Sequence, residues 1–243
     1  MSKKITPYNK SDLGKKEQVT EMFDNISNNY DGLNRVMTFG IDVSWRKKVV
    51  EHVASVAPKS ILDIATGTGD LAIMLAQQTK ADKIIGLDIS KGMLEIGREK
   101  VKYANLREKI TMTQGDSENL PFEDDSFDAI TVSYGVRNFE DLDQGLSEIR
   151  RVLKPGGILV VLETSVPTKF PFKQGYQIYT KTFLPVMGKL LAKDKEAYAY
   201  LPKSAEAFPY GKKFNAILSK NLFQSVTDRP VTFGVSTIYT AFK

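Results

Sequence analysis

At 243 residues the chain is long enough for one well-buried core, and no low-complexity stretch or Pro/Gly/Ser-rich linker divides it. It has no cysteine and a single histidine, His52, which excludes a thiolate nucleophile, a disulfide framework and a Cys/His zinc site. The net charge of +5, from 34 basic and 29 acidic residues, is too small for a nucleic-acid binder.

The N-terminus reads Met1-Ser2-Lys3-Lys4 and stays polar, without the apolar region of a secretory signal. Residues 1–50 are mainly helical in pattern and polar, a cap packed over the sheet. Ser60–Ile64 is a short strand candidate that runs into Thr66-Gly67-Thr68-Gly69. Asp70–Gln78 has helical spacing, with Leu71, Met74 and Leu75 on one face; its apolar run Leu71–Ala76 is far short of the roughly 20 residues a membrane span needs. Lys83–Leu87 is a second strand closed by Asp88, and Ser90 caps a helix carrying Met93, Leu94 and Ile96. Ile110–Thr113 and Phe127–Ser133 are the third and fourth strands. Asp141–Leu153 is a helix, and Lys154-Pro155-Gly156-Gly157 ends it before a fifth, fully apolar strand, Ile158–Leu162.

From 169 to 220 ten lysines face three acidic residues, leaving 24 basic against 26 acidic elsewhere, so the basic character belongs to this one segment. Within it Tyr176, Tyr179, Phe183, Val186, Met187 and Leu190 fall at helical spacing around Pro185, which predicts a helical lid. Asn221–Val226 and Thr232–Phe242, either side of Asp228-Arg229-Pro230, read as two strands joined by a turn. Strands alternating with helices and ending in this pair predict a single α/β domain, a mostly parallel sheet with an antiparallel edge strand. The expected location is the cytoplasm.

Gly67-x-Gly69-x-x-Ala72 follows a strand and opens a helix, and Asp88 lies 21 residues after Gly67, where dinucleotide folds place a carboxylate for ribose hydroxyls. This pattern alone admits NAD or S-adenosylmethionine. Asp63 and Asp70 beside the loop would repel a pyrophosphate but suit a sulfonium and an ammonium, so S-adenosylmethionine is the expected cofactor, with no metal. Asp63 is expected to attract the ammonium, Gly67 to let the backbone approach closely, and Thr68 to bond the methionine part. Gly115-Asp116-Ser117 follows the third strand, where an adenine would meet polar groups.

These residues resemble the C-methyltransferases of ubiquinone and menaquinone biosynthesis. The likeness runs over nearly the whole chain and rests on Asp63-Ile-Ala-Thr-Gly-Thr-Gly-Asp70, Tyr30-Asp31-Gly-Leu-Asn34 with Trp45, Gly135-Val-Arg137-Asn138, and Arg151-Val-Leu-Lys-Pro-Gly-Gly157 followed by Glu163-Thr-Ser165. Asp42 departs from it, since the family usually has histidine there. The resemblance implies a class I, Rossmann-like methyltransferase sandwich that methylates a ring carbon of a prenylated quinol, most simply demethylmenaquinol, with a benzoquinol as the alternative. It implies cofactor contacts from Thr68, Asp88, Asp116, Ser117 and Ser133. Arg137 is expected to stabilise a developing quinolate oxygen and Asn138 to orient it, while Asp42, Tyr134 and water stay open as the base. Arg137 can instead be a structural ion pair with Glu140, Asp141 or Glu163. His52 reads as a packing or surface residue. Peripheral membrane contact through 169–220 and a homodimer remain open, as do an NAD-dependent oxidoreductase and a non-catalytic assembly partner that binds S-adenosylmethionine.

Overall fold

The computed structural model describes residues 5–8, 11–183 and 194–243. The strands are β1 (Ser60–Ile64), β2 (Lys83–Asp88), β3 (Ile110–Gln114), β4 (Phe127–Ser133), β5 (Leu153–Thr164), β6 (Gln224–Val231) and β7 (Ser236–Phe242). They form one sheet in the order β3-β2-β1-β4-β5-β7-β6, parallel from β3 to β5, with β7 antiparallel to both its neighbours. The chain runs outward from β1 to β3 and then returns to the other side of β1 as β4. Strand order therefore reverses between β1 and β4, and the carboxyl ends there frame a crevice, the usual ligand site of such sheets.

Alternate residues of the central strands feed two cores, because successive strand side chains point to opposite faces. Ile61, Ala129, Val160 and Ile238 pack under α2 (Asp42–Ala54), α3 (Asp70–Gln78) and α4 (Lys91–Tyr103). Leu62, Ile130, Leu159 and Tyr239 pack under α5 (Leu142–Val152) and α8 (Lys212–Lys220). Two of the helices on the sheet start at side-chain caps. Ser90 Oγ accepts from the Met93 amide at 3.1 Å to open α4, and an Asp141 oxygen accepts from the Gln144 amide at 3.0 Å to open α5. Between them α1 (Lys15–Met37) and α7 (Lys195–Ala207) form a third, smaller cluster, in which Val19, Met22 and Ile26 meet Met93 and Tyr200. A short helix α6 (Phe172–Ile178) follows β5.

Two expected turns lie elsewhere. α5 passes directly into β5 at Leu153, which pairs with Phe127 while Ile158 pairs with Ala129, so residues 154–157 bulge out of a continuing strand. Leu153 is fully buried, and that anchor holds the strand start ahead of the Pro-Gly-Gly run. Asp228-Arg229-Pro230 is also strand rather than turn. β6 is the sheet's edge, where a proline is tolerated, and an Asp228 oxygen is taken by Lys212 and Asn215 of α8. The reversal comes at Thr232–Gly234, where φ is 43°, 58° and 94°. Of the predicted lid residues, Val186, Met187 and Leu190, with Pro185, lie outside the described residues. The later part of 169–220 is α8, whose Phe214 and Leu218 are fully buried against the sheet.

Asp128 ties the amino ends of three strands. It accepts from the Lys59 and Ser60 amides at 2.9 and 2.8 Å and pairs with Lys154 at 2.7 Å. Burial pushes its carboxyl up, but these bonds win and hold it down to about 2. Its stabilisation is therefore present above the ordinary carboxylate range and lost as pH falls through about 2. Asp128→Ala is expected to cost about 1–3 kcal/mol at neutral pH, read by urea denaturation; an unchanged midpoint would make this junction dispensable.

Candidate active site

The crevice is lined by Ala65 and Gly67 after β1, Asp88 at the end of β2, Gly115, Asp116 and Ser117 after β3, and Ser133, Tyr134 and Gly135 at the end of β4. Ala65 and Tyr134 have φ of 52° and 58°, left-handed conformations that cost about 1–3 kcal/mol each and cluster at functional sites. Gly67 also has positive φ, 57°, and a Cβ there would project into open space, so the loop presents bare backbone to the crevice. Gly135 is needed for a different reason: its Cβ would lie 2.5 Å from that of Ala65.

Asp88 is buried and organises the loop, accepting from the Gly67 amide at 2.7 Å and the Ser90 amide at 2.9 Å. Burial pushes its carboxyl up to about 6 despite those bonds. Ser133 Oγ is buried and has no hydrogen-bond partner among the described residues. An orphaned hydroxyl and a glycine cradle on the crevice wall fit a polar nucleoside-type ligand. Asp88, Asp116, Ser117, Ser133 and Gly67 could hold it.

α1 closes this crevice. Val19 and Phe23 enter it, and Lys16 Nζ reaches Asp116 at 2.7 Å and Glu118 at 3.3 Å. The remaining space is ≈ 70 Å³, well below the roughly 300 Å³ at which ligand pockets begin. With α1 in this position the space is too small for a nucleoside. Lys16→Ala is expected to speed cofactor association about two- to fivefold, the worth of a half-exposed ion pair. Stopped-flow binding reads it, and an unchanged rate would remove α1 as the gate.

Three loop residues sit differently from the sequence expectation. Asp63 lines neither cavity. It is fully buried, with its oxygens accepting from the Thr66 and Thr131 hydroxyls at 2.6 Å each, and desolvation pushes its carboxyl up to about 6. Any pull on an ammonium acts from inside the protein. The Thr68 hydroxyl is likewise turned away, donating to Asp31 at 2.6 Å and accepting from Lys100 at 3.1 Å. Asp70 is no free acidic wall either, because Lys100 bonds it and Arg46 and Arg35 lie 3.6 and 3.8 Å away. Burial pushes its carboxyl up, but Lys100 and the two arginines outweigh that and hold it low. Among the described residues, the carboxylates near the loop without a cation bonded to them are therefore the buried Asp63 and Asp88.

Beyond Tyr30 and Tyr134 lies a second cavity of ≈ 640 Å³. Its walls are mostly aromatic and aliphatic: Met37 on α1, Trp45 on α2, Tyr176 and Tyr179 in and after α6, Leu201 on α7, and Val235. Tyr30 and Tyr134 line both spaces and form the partition between them. Arg137 faces the apolar side. One of its Nη atoms donates to Glu163 at 2.7 Å and to the Tyr134 carbonyl at 2.8 Å, while its Nε and the second Glu163 oxygen are buried without partners among the described residues. Of the three anticipated ion-pair partners, the structure selects Glu163. Asn138 lines the crevice rather than the apolar cavity, and its oxygen accepts from Tyr200 at 3.0 Å, tying α7 to the β4 end.

Two of the three candidate bases are also engaged. Asp42 accepts from Thr38 at 2.9 Å and from Arg46 at 2.5 Å. Burial drives the Tyr134 hydroxyl well above the ordinary tyrosine value, so it stays protonated at neutral pH. The sequence pattern assigned no chemical role to Tyr30 or Arg46 and read the α1 face only as part of a general cap. The signal for the last was present: Val19, Phe23, Ile26 and Tyr30 recur at helical spacing.

Comparison with known proteins accords with this arrangement. The ubiE/COQ5 methyltransferase family matches residues 11–243. A demethylmenaquinone methyltransferase of Bacteroides fragilis is 50% identical over 240 residues, covering 99% of this chain and 98% of that protein. A ubiquinone/menaquinone biosynthesis C-methyltransferase of Geobacter sulfurreducens is 43% identical over 242 residues, with 99% and 93% covered. Among solved structures, a SAM-dependent methyltransferase of Thermotoga maritima superposes with a TM-score of 0.63 at 20% identity, covering 92% of this chain and 99% of that one, a likeness of fold.

Proposed function

The chain belongs to the ubiE/COQ5 methyltransferase family, and on that premise we propose that it transfers the methyl group of S-adenosylmethionine to a ring carbon of demethylmenaquinol. The observation that carries this reading is the partition. A polar crevice at the sheet's switch point and a large apolar cavity share Tyr30 and Tyr134 as their common wall, and a buried guanidinium faces the apolar side.

S-adenosylmethionine, when bound, supplies an electrophilic methyl group and leaves as the thioether. Asp88, Asp116, Ser117, Ser133 and the Gly67 backbone hold it. Arg137, oriented by Glu163, stabilises the oxygen of the acceptor as its hydroxyl gives up a proton, which makes the neighbouring ring carbon nucleophilic. The new carbon–carbon bond forms there as the methyl–sulfur bond breaks, the displaced ring proton leaves to solvent, and the oxygen takes a proton back from water to restore the quinol. Water takes the hydroxyl proton, since Asp42 is paired with Arg46 and the Tyr134 hydroxyl stays protonated. The apolar walls accommodate the prenyl tail. Residues 15–37 act as the cap over the cofactor, and Tyr176, Tyr179 and Leu201 as the lid of the acceptor cavity.

Among the described residues no helix is long and apolar enough to cross a membrane, and a prenylated acceptor resides in one. Phe39, Phe170 and Phe233 are 69, 80 and 67% exposed, with Phe39 and Phe233 lining the apolar cavity. Phe172 stacks on Phe233 at 3.8 Å. Lys169, Lys173 and Lys181 belong to the same stretch of chain. Exposed aromatics beside lysines suit peripheral contact with an anionic bilayer. Serine at positions 39, 170 and 233 together is expected to weaken binding to vesicles containing phosphatidylglycerol at least about tenfold. Undiminished vesicle binding would remove this face from the contact.

The function itself is tested by mass analysis after incubation with labelled S-adenosylmethionine and reduced naphthoquinol or benzoquinol acceptors. A methylated naphthoquinol is the expected product. Methylation of the benzoquinol alone would move the acceptor assignment, and turnover only with an unrelated small molecule would remove the quinol altogether.

A further inference from the structure

Arg46 lies beside Trp45 on α2, and its side chain, 12% exposed, faces the same apolar cavity as Arg137. One of its Nη atoms is held by two carboxylates, Asp42 at 2.5 Å and Asp70 at 3.6 Å. Each carboxylate is itself secured: Asp42 accepts from Thr38 at 2.9 Å with Arg35 4.0 Å away, and Asp70 is bonded by Lys100. The other nitrogens of Arg46, Nε and the second Nη, make no hydrogen bond to any described residue. A planar guanidinium anchored at one corner presents its remaining donors in fixed directions. Here the side chain that carries them lies in the wall of the apolar cavity.

Arg46 and Arg137 also share their surroundings. Both act electrostatically on the hydroxyls of Tyr30 and Tyr134, the partition residues. The wall of the apolar chamber thus carries two arginines. A methylation that needs one oxygen stabilised leaves the second cation without a task, whereas a 1,4-diol ring carries an oxygen for each.

Resting on the acceptor reading above, we propose that Arg46 is the second oxygen-recognising group of the acceptor site. Arg137 meets the hydroxyl beside the methylated carbon, and Arg46 meets the hydroxyl across the ring. Asp42 is the positioning residue that keeps Arg46 aimed. The site thereby selects a ring bearing two para hydroxyls, because a buried donor left without its acceptor penalises a ring that lacks one. The competing explanation is that Arg46 only ties α2 to α3 through Asp70.

Steady-state kinetics of the full chain separate the two explanations, using a short-chain prenylated 1,4-naphthoquinol and the matched mono-ol that retains the hydroxyl next to the accepting carbon. The wild-type protein is expected to prefer the diol in kcat/KM by about 30-fold or more. Arg46→Gln is expected to cut that preference at least about tenfold, mainly by raising KM for the diol, with mono-ol values within about threefold of wild type. Asp42→Asn should give a weaker loss of the same kind. Equal losses on both acceptors, or a preference unchanged by Arg46→Gln, overturn the inference. Should Arg46→Gln fail to fold, the wild-type preference and Asp42→Asn decide it: no preference for the diol, or none lost in Asp42→Asn, overturns it. A wild-type protein that methylates neither ring while binding S-adenosylmethionine overturns the acceptor reading and this inference together. Activity on both rings without preference overturns the Arg46 assignment alone.

Discussion

Arg137→Ala is expected to lower turnover of the reduced quinol by about 10²–10³-fold, while affinity for S-adenosylmethionine, measured by calorimetry, changes less than about threefold. The magnitude is that of removing one preorganised donor from a developing oxyanion. The selectivity follows from position, since Arg137 lines the apolar cavity and not the cofactor crevice. A complication comes from Glu163, 0% exposed and paired with Arg137 at 2.7 Å. Removing the arginine alone leaves a buried carboxylate unpaired, at a cost of about 3–5 kcal/mol. The double variant Arg137→Met with Glu163→Gln removes both charges at similar volume and is expected to recover most of that stability without recovering turnover. Restored activity in the double variant, or parallel loss of turnover and cofactor affinity in the single one, would reduce Arg137 to a structural role.

Cofactor affinity is expected to fall about 10-fold between pH 7.5 and pH 5 if one buried carboxylate must ionise for binding, and about 100-fold if two must. Asp63 and Asp88 are the two. Burial pushes each up to about 6, from an ordinary value of 3.8. Their neighbours modulate this: Arg46 favours the charged form of Asp63, while Asp24 opposes that of Asp88. A sulfonium and an ammonium in the crevice stabilise both anions, so binding lowers their values and releases protons near pH 6. The stability of the cofactor-free protein runs the opposite way. With both values raised on folding, the native state binds protons more readily than the unfolded chain. Stability contributed by protonated Asp63 and Asp88 is full below about 4 and is lost as pH rises through about 6. Calorimetry at pH 6 in two buffers of different ionisation heat reads the protons released, and Asp88→Asn should remove about half of the pH slope. An affinity flat from pH 5 to 7.5 with no proton release would sink this account.

The central elements were legible in the chain because their causes are local. Ser60–Ile64, Asp70–Gln78 and Phe127–Ser133 appear in the structure with the bounds that period and punctuation predict. Ser90 and Asp141 cap helices through bonds that span three residues. Where local pattern misled, a non-local neighbour overruled it. Pro-Gly-Gly and Asp-Arg-Pro look like turns in isolation, but Leu153 is drawn into the core beside Phe127, and Pro230 finds itself on a sheet edge.

Composition and short-range pattern by themselves determined the α/β sheet, the glycine loop after its first strand and the carboxylate at the end of the second, whereas the arginine after the fourth entered through the family resemblance. Which of the loop's polar groups remained free to meet a ligand was decided only in three dimensions. Thr68 is spent on Asp31, 37 residues away, and Asp63 on Thr131, 68 residues away, while Ser133 is left with no partner among the described residues. The pairing of Arg137 with Glu163 and the facing of Arg46 into the same chamber are likewise products of the sheet bringing distant segments together. Hydrogen bonds and ion pairs form between whatever burial makes adjacent, and adjacency across a crossover fold is not written in residue spacing.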